Sequence, residues 1–164
     1  MFKPLLLNVF AGWFRMSRWF PPAAMARIRD AIAEGERRHA GELCFAVESR
    51  YSPWEVLAGL RPRQRAEQAF SVLRVWDTER NSGVLLYLQL AERRVEIVAD
   101  RGIVEHVDAA QWQAICDAFV ADIAHGPAEA AVLAAVQRIS DLLAKHFPAA
   151  ADNPRELSDQ PIIL

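Results

Sequence analysis

Side chains able to do chemistry gather in three short stretches: Glu36 with Glu42, Asp77 through Ser82, and Asp100 with Arg101. Carboxylates beside amide and hydroxyl oxygens, with no thiolate near them, suit a hard cation, Ca²⁺ or Mg²⁺, better than zinc. Glu36, Asp77 and Asp100 are the expected metal ligands, and Arg80, Asn81 and Arg101 the expected contacts to a phosphate or another ligand. In a phosphohydrolase such a cation would polarise a phosphoryl oxygen, an arginine would stabilise equatorial charge, and Glu36 or Glu42 would act as general base once burial raised its pKa. In a non-catalytic module the same cation would order the loops and hold a partner.

Glu36 carries the most information of these residues. It continues the Ile28, Ile32 spacing, so it projects from the apolar face of its helix. It also lies near the helix C-terminus, where the macrodipole disfavours a carboxylate by about 0.3–1 kcal/mol. An inward carboxylate at that end calls for a compensating cation. Arg80, Arg101 or a bound metal would serve, and a plain Glu36–arginine salt bridge, with Asp77 and Asp100 as turn and cap residues, is the alternative to a metal centre.

Other chemistries find little support. His39, His106, His125 and His146 have no metal-ligand spacing, and the sequence holds no GxSxG, P-loop or GxGxxG motif. Thr78 and Ser82 have no neighbouring His-Asp pair to activate them. Cys44 and Cys116 sit in apolar segments without a CxxC partner, as reduced core thiols do.

The elements that must position these residues follow from periodicity. Residues 23–39 read as a helix with Met25, Ile28, Ile32 and His39 on one face, opened by Pro21-Pro22 and closed at Gly41. Residues 43–49 read as a strand and 51–53 as a turn. Residues 63–76 read as a helix with Ala66, Ala69, Phe70, Leu73 and Trp76 inward. The apolar run 84–90 has the signature of a strand buried on both faces, and 94–100 follows it as a hairpin partner. Asp108 and Gln111 form a capping box for a helix running to Ala124, and Pro127 opens a last helix through His146. The order predicts a right-handed parallel crossover and a three-layer α/β/α sandwich on a small mixed sheet. Strand polarity then brings Glu42, the 77–83 loop, Asp100-Arg101 and the end of the first helix to one edge of the sheet, here called the rim.

Composition bounds the rest. In 164 residues, 52% hydrophobic and 24% charged with net charge −2, there is one domain's worth of core. No broad basic face marks a nucleic-acid binder. Residues 1–20 form a separate basic and aromatic segment, expected to be helical, with Lys3, Arg15 and Arg18 and no acidic residue. It could lie on an anionic membrane surface or pack back on its own domain. Residues 21–148 are the expected α/β/α domain and 149–164 an irregular tail. With no clear export signal and no apolar run long enough for a span, a cytoplasmic protein, in contact with the inner face of the membrane, is expected.

Three segments resemble the TPM-domain family. Residues 32–42 (IAEGERRHAGE) resemble its opening helix and strand, residues 70–87 (FSVLRVWDTERNSGVLLY) its central motif, and residues 95–103 (VEIVADRGI) its third strand. Trp112 and His146-Phe147-Pro148 fit as well, and the resemblance runs over about residues 24–160. It implies an α/β/α fold and, as in some members, a divalent cation, usually Ca²⁺. Carried over by position, that cation falls at Glu36, Asp77 and Asp100, with Arg80, Asn81 and Arg101 around it. Members include a plant thylakoid protein of photosystem II repair described as an acid phosphatase, and membrane-anchored receptor-assembly factors. The resemblance therefore implies a Ca²⁺-binding module in assembly or maintenance of a membrane-associated complex, with an unknown protein partner; a metal-dependent phosphatase acting on phosphate monoesters is the alternative.

Overall fold

A computed structural model of the protein describes residues 12–149 and 155–164. The elements run α1 (Gly12–Trp19), α2 (Pro22–Glu36), β1 (Glu42–Glu48), α3 (Pro53–Leu57), α4 (Pro62–Val72), β2 (Gly83–Gln89), β3 (Arg94–Ala99), α5 (Arg101–Val104), α6 (Ala109–His125), α7 (Ala128–His146) and β4 (Ile162–Ile163). The strands form one four-stranded sheet in the order β3-β2-β1-β4. β1 runs parallel to β2 and to β4, and β2 runs antiparallel to β3.

Every residue of β1 and of β2 is buried, because helices or the tail cover both faces of the sheet. On one face Phe45, Val47, Leu86, Leu88 and Ile97 meet Ile28 and Ile32 of α2, Phe119 of α6 and Val132, Val136 and Ile139 of α7. On the other, small residues Cys44 and Ala46 face Ala66 and Ala69 of α4, with Leu85, Tyr87 and Val98 beside them. The result is the expected three-layer α/β/α sandwich. A part-buried ion pair fastens α4 to this second face. Arg65 grips both oxygens of Glu48 at 2.8–3.2 Å, and the Tyr87 hydroxyl donates to the same carboxylate.

Several boundaries differ from expectation. α4 stops at Val72 instead of residue 76, because Arg74 turns into the left-handed region (φ 55°). Val75 is therefore buried in place of Trp76, which lies exposed with its indole N–H donating to the Ser71 carbonyl at 3.3 Å. α2 ends at Glu36, leaving buried His39 in the following turn, where it bridges to Pro148. α3 and α5 are short helices in stretches where periodicity predicts no helix. The tail, expected to be irregular, supplies β4 and packs Leu157, Ile162 and Leu164 against the α4 layer. A two-residue strand gives no periodicity to read. The Asp108–Gln111 capping box forms as the sequence predicts.

Of the N-terminal segment, residues 1–11 lie outside the described residues. Met16, Trp19 and Phe20 pack on the main core, and the Arg93 guanidinium stands 5.3 Å from the Trp19 ring. Among the described residues no helix is long and apolar enough to cross a membrane.

Gly83 opens β2 where the preceding turn doubles back. A β-carbon there would come within 1.9 Å of the Val75 carbonyl oxygen. Gly83→Ala should cost about 1–3 kcal/mol in urea denaturation, as overpacking does. Gly126→Ala, whose added carbon would meet only Asp122 O at 3.5 Å, should move the midpoint much less.

Candidate anion pocket at the sheet rim

Strand polarity brings the predicted segments to one edge. The Glu42 N–H donates to the Ser82 carbonyl at 3.0 Å and the Asp100 N–H to the Gly83 carbonyl at 2.8 Å, so the starts of β1 and β2 lie beside the end of β3. The turn after α2 completes this edge: the Ala40 N–H donates to the Phe147 carbonyl at 2.8 Å, and the Ala149 N–H to the Arg38 carbonyl at 3.2 Å.

Between these segments lies a pocket of about 480 Å³. Arg80, Asn81, Arg101, Glu105 and His106 are among its polar residues, with Phe147 and Pro148 as an apolar wall. Gly102 makes the arrangement possible. A β-carbon on it would stand 2.7 Å from the Arg80 carbonyl and 2.8 Å from that of Asn81, so only glycine lets the two turns close. Asn81 adopts φ 52°, a left-handed conformation that asparagine tolerates better than most residues. Its side-chain oxygen accepts from Arg101 Nε at 3.0 Å. That bond orients the guanidinium and leaves its two terminal nitrogens for a ligand. Arg80 is exposed and makes no hydrogen bond or ion pair among the described residues. His106 directs Nδ1 to the Gly102 carbonyl at 3.1 Å and meets the Phe147 ring edge-on at 5.2 Å. Glu105 is the one carboxylate in the lining, against two guanidiniums.

The three expected ligand contacts, Arg80, Asn81 and Arg101, are therefore brought together. The three expected metal ligands are not. Asp77 is exposed and paired with Arg74, three residues back on the same turn. Asp100 caps α5, its Oδ1 accepting the Arg101 N–H at 2.7 Å. Glu36 is 4% exposed and accepts the Leu43 N–H at 2.9 Å. Asp100 Oδ2 is buried without a partner among the described residues, but one orphaned oxygen is far from the six to eight that Ca²⁺ takes. Among the described residues no group of three or more His, Cys, Asp or Glu side chains stands where it could hold a metal ion. The side chains present do not fit the implied cation.

Glu36 projects inward as its spacing predicts, but its compensation is a proton instead of a cation. Burial, with Glu42 and Asp159 nearby, pushes its pKa up to about 9, so at neutral pH it is a carboxylic acid hydrogen-bonded to Asp159. Glu42, expected as a general base, is 2% exposed and does not line the pocket. Its Oε2 accepts the Glu156 and Leu157 N–H groups at 3.2 and 3.0 Å, so it anchors the tail. Burial raises its pKa too, against those two bonds. His106, Phe147 and the tail acids are the residues that sequence reasoning missed. His106 had a signal in its position one helical turn past Gly102; Asp159 and Glu156 had none.

The TPM-domain family model matches residues 16–142. A comparison with curated proteins gave no match. Among solved structures, the NMR structure of the BA42 protein from the psychrophilic bacterium Bizionia argentinensis superposes with a TM-score of 0.76 at 24% identity, over 86% of this chain and 92% of that one. At that identity the likeness concerns the fold.

A carboxyl whose pKa is higher folded than unfolded binds more protons in the folded state between the two values. Stability from Glu36 is therefore present below about 4.5 and is lost as pH rises toward about 9. Glu36→Gln keeps an acceptor for Leu43 and a donor for Asp159 without the titration. Its melting temperature should fall less than the wild type's between pH 5 and pH 9, and exceed it at pH 9. An unchanged pH slope in the variant would remove Glu36 as the source.

Proposed function

This chain belongs to the TPM-domain family, and from that premise we propose that it works as an anion-recognising module, binding a phosphate-type group at the rim pocket. The observation that carries this reading is the convergence of Arg80, Asn81 and Arg101 on one pocket from which the predicted acidic ligands are missing. A guanidinium presents a planar fork that matches phosphate oxygens, and an already oriented one loses less freedom on binding. Arg101, held through Nε by Asn81, is that oriented fork. Arg80 adds a second cation, and the Phe147–Pro148 wall offers an apolar surface for the group that bears the anion.

Binding, not hydrolysis, is the reading these residues favour. Ser82 is 3% exposed and no histidine backs its hydroxyl among the described residues, so it is poorly placed as a nucleophile. His106 has one ring nitrogen turned to the Gly102 carbonyl.

Calorimetric titration with phenyl phosphate tests the proposal. Saturable binding is expected, weakening as salt rises. Charge-assisted hydrogen bonds contribute about 1.5–3 kcal/mol, so Arg101→Gln should weaken binding by about 10- to 100-fold. Arg80→Gln should do the same, with the melting temperature unchanged because the side chain is exposed. No binding by the wild type, or affinity indifferent to both arginines, would overturn it. Steady release of phenol would overturn the binding-only reading in favour of a phosphatase.

A further inference from the structure

Residues 155–164 touch both the outer border of β1 and the turn that carries Arg80 and Asn81. Along β1, Glu42 Oε2 accepts the Glu156 and Leu157 N–H groups at 3.2 and 3.0 Å. Asp159 bonds the Glu36 carboxyl, and the Leu164 N–H donates to the Val47 carbonyl at 3.0 Å. Leu157, Ile162 and Leu164 are only partly buried against the α4 layer. β4 is the shortest strand of the sheet, at two residues. A segment fastened this lightly opens at less cost than the core.

Glu156 joins this segment to the rim pocket. While its backbone is held by Glu42, its Oε2 accepts the Glu79 N–H at 2.7 Å, a bond between segments 77 residues apart. Glu79 immediately precedes Arg80. Within the turn, the Asn81 N–H donates to the Thr78 carbonyl at 3.1 Å and the Ser82 N–H to Thr78 Oγ1 at 2.8 Å. Those bonds close the turn on itself, and Glu156 adds an anchor from outside it. Asn81 in its turn orients Arg101. Glu156 does not line the pocket, so any effect it has on a ligand passes through the turn.

We propose that residues 155–164 are a strap that sets the rim pocket: docked on β1, Glu156 holds the 78–82 turn so that Arg80 and Asn81 face the anion, and a bound anion in return holds the strap down. This rests on the phosphate-binding reading of the pocket. The second half follows from the first, because coupling between two binding equilibria is reciprocal. A ligand at one end of the sheet thereby governs how firmly the β1 border is covered. Glu156 is a positioning residue in this scheme, and its charge opposes its role: a carboxylate near the site repels an anion.

That opposition of sign makes the strap testable by calorimetric titration of the full chain with phenyl phosphate. Glu156→Ala should weaken binding about 2- to 10-fold, the worth of one hydrogen bond. Glu156→Gln, which keeps an oxygen for the Glu79 N–H, should bind at least as tightly as the wild type. Both variants remove a negative charge, so an effect of charge alone would tighten both. Glu156 is exposed, and neither variant disturbs the core. In amide hydrogen exchange, saturating phenyl phosphate should slow the Glu156, Leu157 and Leu164 N–H groups by the same factor in the wild type, and not in Glu156→Ala. Alanine binding as tightly as glutamine would overturn the strap while the pocket reading stands. Tail amides indifferent to phenyl phosphate in a wild type that binds it would do the same. A wild type that binds no phenyl phosphate overturns both.

Discussion

The molecule depends on how β2 is paired. It is buried along its whole length between a parallel neighbour and an antiparallel one. That mixed pairing alone puts the beginnings of two strands and the end of a third on one border, where the turns carrying Arg80, Asn81 and Arg101 meet. Gly83 is the node. Its carbonyl receives the Asp100 N–H, and its bare α-carbon lets the Val75 turn close over it. A sheet of different polarity would scatter the same side chains over opposite ends of the molecule.

The rim sorts its charges. Carboxyl groups of Glu36 and Glu42 are drawn in and satisfied by backbone N–H groups and, for Glu36, by a proton. The guanidinium groups of Arg80 and Arg101 stay at the surface, with at most a neutral amide as partner. This is the cheaper division. Desolvating a carboxyl costs less once it is protonated, whereas guanidinium stays charged at any accessible pH and is best left near water. The opposite end of β1 uses the other solution, a Glu48–Arg65 pair completed by the Tyr87 hydroxyl. There a bidentate guanidinium partner for the buried carboxyl is built into α4.

Much of this was legible in the residues. Alternation, apolar runs and caps located the principal helices and the three longer strands, and hairpin logic gave their polarity. The inward projection of Glu36 followed from its spacing with Ile28 and Ile32. Its partner did not follow, since Asp159 comes from a tail that carries no periodic signal. Trp76 misled for a related reason: its spacing continues the helix, but the left-handed turn at Arg74 swings Val75 inward instead. The expected cation site rests on strand polarity bringing carboxylates from distant segments to one edge, and a shared edge does not fix which side chains face each other.

The outer border of β1 is guarded in an unusual way. The Leu43 amide is plugged by the Glu36 side chain, and only Ala46 and Val47 are paired with the short β4. Stripping away residues 155–164 would uncover a flat, apolar strand whose hydrogen-bonding groups face outward, a template on which further copies could stack. The tail thus covers a border of the sheet that would otherwise lie open.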